Sequence, residues 1–115
     1  MTIDQFLAKL KTEPGSIQFS DTMQLIDTNY DFNPCEFTNG NQLNEANQNN
    51  GSCKLLAFAQ LHKLNTEQTL QCFGDYYRVD VLQHPDNDDH QNIRNLIIHG
   101  WEGVSFNGTP LTIKP

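Results

Sequence analysis

Apolar residues Ile3, Phe6, Leu7 and Leu10 recur at the spacing of one helical face, and Thr2 with Gln5 has the separation of a capping box. A first helix is therefore predicted almost from Met1, ended by Glu13-Pro14-Gly15. Ser16 to Phe19 alternates polar with apolar positions, which predicts a short strand, and Ser20 and Asp21 then cap a helix carrying Met23, Ile26 and Tyr30 on one side. From Asp31 to Gly51 the pattern breaks down: Asn is abundant, Pro34, Gly40 and Gly51 interrupt, and only Phe32, Phe37 and Leu43 stand out as anchors. A long loop, partly packed down by its aromatics, is the expectation there.

Ser52 has N-cap chemistry, and Cys53 to Leu64 is apolar on almost every side, with Ala57 and Ala59 permitting close approach. This predicts the central buried helix. Asn65 with Gln68 restarts a helix in which Leu70, Phe73 and Tyr77 form a stripe running to Leu82, with Gly74 inside it at a cost of roughly 1 kcal/mol. Asp88 or Asp89 caps a last helix with Ile93, Leu96 and Ile97 inward and Gly100 as its stop. Val104 to Phe106, Asn107-Gly108 and Leu111 to Ile113 read as a C-terminal hairpin, with Pro110 at an edge. The predicted fold is α+β: one domain over residues 1–115, about five helices and a small antiparallel sheet containing that hairpin.

Composition narrows the partners. Fourteen acidic residues against seven Lys and Arg give a formal charge of −7 over 115 residues, which repels phosphate backbones and anionic lipid. Neither nucleic acid nor membrane is expected as a partner, and no apolar run approaches the roughly 20 residues of a membrane span. The start of the chain reads as an amphipathic helix instead of a signal peptide, so a soluble, cytoplasmic protein is expected. Cys35, Cys53 and Cys72 are odd in number and widely spaced, which fits reduced thiols.

Three groups of residues carry candidate chemistry. Cys53 falls in a first helical turn, where free N–H groups and the helix dipole lower a thiol pKa; His90, opening another helix, is the candidate base, with Asp88, Asp89 or a loop Asn to orient it. Tyr77, Arg78, Arg94 and Trp101 form a second set, suited to holding a small carboxylate or other anion if they converge. His84, Asp86, Asp88, Asp89 and His90 crowd one turn. An EF-hand reading fails, since Gln91 stands where a turn Gly is needed and Ile97 where a bidentate Glu is needed, so no metal site and no cofactor is expected.

The run Asn50-Gly51-Ser52-Cys53-Lys54-Leu55-Leu56-Ala57-Phe58-Ala59 resembles a signature of the HopJ type III effector family. Leu70 to Arg78, Asp80-Val81-Leu82, His84-Pro85, Asp89 to Arg94, and Gly100 to Val104 with Phe106 continue the resemblance in order. It implies a small bacterial domain of mixed α and β structure, without an established reaction, and suggests delivery into a host cell as the alternative to a cytoplasmic role. A binding module for a protein partner or a small anionic ligand is the leading functional expectation. A thiol-dependent enzyme using Cys53 and His90 is its rival.

Overall fold

The computed structural model describes residues 1–115. Helix α1 (Ile3–Thr12) opens on the expected capping box, with Gln5 N–H donating to Thr2 Oγ1 at 3.1 Å and Thr2 N–H to Gln5 Oε1 at 2.9 Å. Its apolar face buries Phe6 and Leu10. Pro14–Ser16 then forms a 3₁₀ turn, and α2 (Phe19–Asn29) follows with only two residues between. The strand expected over Ser16 to Phe19 is absent. Ile17 and Phe19 are both apolar because one plugs the core from the link and the other begins a helix, an alternation without sheet periodicity.

The Asn-rich segment holds more order than its composition predicts. It contains β1 (Tyr30–Phe32), β2 (Phe37–Asn39) and β3 (Gln42–Asn44), the last two joined by a tight turn in which Gly40 has φ +60°. Pattern reading fails here because the inward positions include Asn39 and Asn44, both fully buried polar residues that look like surface.

The C-terminal strands also part company. β4 (Val104–Phe106) pairs antiparallel with β2, placing Phe37 opposite Phe106, whereas β5 (Leu111–Ile113) pairs antiparallel with β1, placing Tyr30 opposite Ile113. The predicted hairpin does not form. Pro110 has no N–H to offer a ladder, and its carbonyl instead accepts from Asn33 N–H at 2.7 Å, which directs the strand after it to the other sheet. The result is a three-stranded sheet ordered β3-β2-β4 and a two-stranded one, β1-β5.

Helix α3 (Asn50–Leu61) runs through the middle and buries Cys53 and every residue from Leu55 to Ala59. Phe58 meets Phe6 and Tyr30 edge to face, with ring centroids 5.7 and 6.1 Å away. α4 (Thr66–Gln71) is short, capped by Asn65 and Gln68 as predicted. It does not continue to Leu82. Gly74 takes φ +64°, and a Cβ there would lie 2.7 Å from the main-chain nitrogen of Phe19, so the glycine is where the helix breaks and two segments touch. Tyr76–Val81 then forms a π-helical turn, and α5 (Gln91–His99) ends at Gly100 with φ +62°.

One continuous cluster of 22 buried apolar residues links all five helices to both sheets, and the fold is α+β. No helix is long and apolar enough to cross a membrane.

Candidate functional site

Two helices begin abnormally, and they do so side by side. α3 starts from Asn49 at φ 55°, ψ 47° and α5 from His90 at φ 50°, ψ 49°, both left-handed, and neither side chain caps its helix. Ordinary N-caps are extended and place a side-chain oxygen over the first N–H groups. A left-handed residue followed by a helical one instead turns successive N–H groups into a concave donor surface suited to anions. The first helical hydrogen bonds run from Cys53 N–H to Asn49 O at 3.0 Å and from Ile93 N–H to His90 O at 2.9 Å, so the N–H groups before them point out of each helix end.

Between these two ends lies a cleft of about 320 Å³. Asn49, Ser52 and Gln42 line one side, and His90, Gln91 and Asn92 the other. Its apolar wall is Phe19 and Phe73, stacked with centroids 6.2 Å apart and planes 10° from parallel. The aromatic series continues outward from Phe19 to Tyr76 at 5.2 Å and from Tyr76 to His90 at 5.1 Å. Gly51 makes the wall possible, since a Cβ there would meet the tip of the Phe19 ring at 2.8 Å.

His90 is held from outside the cleft. Its Nε2 lies 3.0 Å from Asp80 Oδ2, on the π-helical turn that also carries Tyr76. In the neutral ring, with that nitrogen donating to the carboxylate, Nδ1 is an acceptor. Behind the cleft floor, Asn92 Nδ2 donates to Asn44 Oδ1 at 3.0 Å, Asn49 Nδ2 donates to the same oxygen at 2.6 Å, and Asn39 Nδ2 donates to Asn92 O at 2.7 Å. These amides lock β2 and β3 to the starts of α3 and α5, which fixes the width of the opening.

Cys53 is not on this surface. Because α3 starts at Asn50 and not after Ser52, Cys53 is its fourth residue; its own N–H is already bonded, and it faces inward with 1% of its surface exposed. Its Sγ sits 4.0 Å from Cys35 O. Burial, and then the neighbouring Cys35 thiol, push the Cys53 pKa up to about 12, so the sulfur is protonated at neutral pH. The residue that shares the cleft with His90 is Ser52.

Tyr77, Arg78, Arg94 and Trp101 are not brought together; each is engaged separately. Arg78 donates through Nη1 to Pro14 O at 3.2 Å, Gln71 O at 3.3 Å and Gln71 Oε1 at 2.8 Å, and through Nη2 to Ile17 O, tying the 3₁₀ turn to α4. Arg94 organises the acidic turn, donating to the carbonyls of His84 (3.1 Å), Pro85 (3.1 Å) and Asp89 (2.6 Å) and to Asp89 Oδ1 at 2.7 Å. That last bond holds the Asp89 carboxyl below the usual carboxylate range. Tyr77 OH donates to Glu67 Oε2 at 3.2 Å, and Trp101 Nε1 to Leu64 O at 3.0 Å. In the acidic turn itself no three His, Cys, Asp or Glu side chains approach as a metal-binding group would.

Of the expected site residues, His90 alone reaches the cleft. Asp80, Asn49, Gln42 and Ser52 escape sequence reasoning. No sequence signal marks them, because Ser52, Asp88 and Asp89 offer ordinary cap chemistry close to the true starts at Asn49 and His90 and read as the caps.

No curated protein matches the chain. Among solved structures, the crystal structure of VPA0580, a protein of unknown function, superposes with a TM-score of 0.97 at 55% identity, covering 99% of this chain and 95% of that one. The family model described as HopJ type III effector protein matches residues 3–111, which takes in every element from α1 to the first residue of β5 and both walls of the cleft. The chain belongs to the HopJ type III effector protein family.

Proposed function

We propose that this protein is a binding module whose ligand is a small anion with a flat apolar body, held in the cleft between the starts of α3 and α5. The observation that carries this reading is the convergence of two uncapped, left-handed helix starts on one opening. Each helix end presents roughly half a positive charge and unbonded N–H groups, so an oxyanion between them is favoured although the whole chain carries −7. The partly exposed Phe19 ring, backed by Phe73, supplies the contact for the apolar part, and Ser52, Asn49 and Gln42 supply orientation. A volume of about 320 Å³ suits a compact molecule such as an aromatic carboxylate.

The rival reading, a thiol enzyme using Cys53 with His90, draws no support from the thiol's surroundings: it is buried, protonated and turned towards Cys35. Nor do Arg78 and Arg94 have a free guanidinium edge to share with an anion.

Titration of isotopically labelled protein with benzoate and, separately, inorganic phosphate tests the proposal. The expected result is saturable movement of the Gly51, Ser52, Gln91 and Asn92 amide signals, stronger with benzoate. Ser52→Asp places a carboxylate in the cleft at a helix position that tolerates acids, and is expected to weaken binding at least tenfold while the fold persists. Shifts centred elsewhere, or binding unchanged in Ser52→Asp, would overturn the assignment.

A further inference from the structure

Cys35 and Cys53 lie 18 positions apart in sequence, one on the connection between β1 and β2 and the other in the opening turns of α3, yet they are neighbours in space. Cys53 Sγ is 4.0 Å from Cys35 O. The Cys35 side chain is also near enough to hydrogen-bond the Cys53 thiol, so the two sulfurs are neighbours, as bridging requires. All the electrostatic and hydrogen-bonding influence on the Cys53 thiol comes from Cys35. Cys72 is excluded from the pair, being fully buried and donating to Gln68 O at 3.4 Å within its own helix.

The two thiols differ in access. Cys53 is closed off, whereas Cys35 is only half-buried and lies under Gly108, where even a Cβ would come within 3.8 Å of its sulfur. A glycine at that point adds no side chain over Cys35 on that side.

We propose that Cys35 and Cys53 are a modification site, closing to an intramolecular disulfide by exchange with a low-molecular-weight disulfide such as oxidised glutathione. The Cys35 thiolate attacks one sulfur of the reagent, whose S–S bond breaks and releases the first glutathione thiolate. Cys53 attacks the Cys35 sulfur of the mixed disulfide, and its proton passes to the departing second glutathione thiolate. Two protein thiols are oxidised by two electrons, and one disulfide molecule is reduced to two thiols. The high proton affinity of Cys53 keeps it inert to outside reagents, and its fixed position beside Cys35 makes the second step intramolecular. Once closed, the bridge fastens the β1–β2 connection to α3 one residue from Ser52.

The test is to incubate the native protein with oxidised glutathione, then unfold it, block free thiols and measure intact mass with peptide mapping. Free thiols are expected to fall from three to one, with the mass lower by two hydrogens before blocking and the linked peptides containing Cys35 and Cys53. Cys72→Ala is expected to behave as wild type. Cys35→Ser, at the more exposed position, is expected to keep both remaining thiols free, whereas Cys53→Ala is expected to stop at the glutathione adduct on Cys35. A stable adduct on Cys35 of the wild-type protein, a bridge involving Cys72, a bridge only between two molecules, or three thiols still free would each overturn the proposal.

Discussion

The surroundings of Phe58 on α3 and of Asn92 at the start of α5 are buried almost equally, with exposures of 0% and 6%, but opposite physics holds them. Around Phe58 the neighbours are Phe6, Tyr30 and His62 rings, and the stabilisation is area removed from water, tolerant of small adjustments. Around Asn92 the neighbours are Asn39 and Asn44, and every partner needs a donor or acceptor in one place. The molecule uses contact to make its centre and directed amide bonds to fix the edge of its cleft. Even there one atom, Asn39 Oδ1, is buried without a partner.

The largest effect is expected on the apolar side. Phe58→Ala removes a fully buried ring and should cost about 3–5 kcal/mol in urea unfolding, a large share of the stability of an ordinary domain. Phe58→Leu should recover much of that loss. A wild-type melt from Phe58→Ala would mean that the centre lies elsewhere.

Asn92→Ala should cost about 1–3 kcal/mol, because Asn39 and Asn44 keep buried polar atoms that lose their partner. The contrast is sharpened by Asn92→Leu, a similar volume without polarity, which should be no better than Ala. If Leu rescued stability, as it should at Phe58, the two regions would be governed by the same physics. Within the amide set, an Asn44 and Asn92 double-mutant cycle should give a coupling on the order of 1 kcal/mol, read from the same unfolding curves.

How far the sequence could be read follows the same division. Caps and apolar periodicity located α1, α4 and the core of α3, because contact leaves a repeating hydrophobic mark: Phe6, Leu10 and Phe58 are inward both in pattern and in space. The polar half leaves no such mark. Asn39, Asn44 and Asn92 look like surface, so β2 and β3 read as loop and the cleft behind them went unseen. Cys53 shows the cost of a small error in a helix start: a cap at Asn49 in place of Ser52 rotates the thiol from the cleft into the core and brings Ser52 to the opening. Family resemblance, carried by residues spread along the chain, was legible where the site was not.

The smallest expected effect is a pH dependence at the border of the apolar side. His62 stacks on Phe58 with centroids 4.6 Å apart, lies 2.9 Å from Tyr30 OH, and is held below its ordinary pKa by burial, partly offset by Asp4. The unfolded chain then takes up this proton before the folded one does. The stability that His62 contributes is therefore full above about pH 6.5 and declines as pH falls through that value towards the lowered one. Unfolding midpoints between pH 7.5 and 5 should show the decline, and His62→Gln, which keeps a partner for Tyr30, should flatten it. An equal slope in the variant would assign the dependence to another group.

The division of the last two strands between two sheets also orders events in the making of the protein. β2 and β3 close a local hairpin as soon as both have been synthesised, but β1 waits for β5, 83 positions separating the partners Tyr30 and Ile113, and the other edge of β2 waits for β4. Until residues 104–113 leave the ribosome, the nascent chain carries two unpaired strand edges beside an exposed aromatic cluster, the kind of surface that invites pairing with a neighbour. Completion of the native state thus waits for residues 104–113, whose docking is a pairing of high contact order and is expected to be slow.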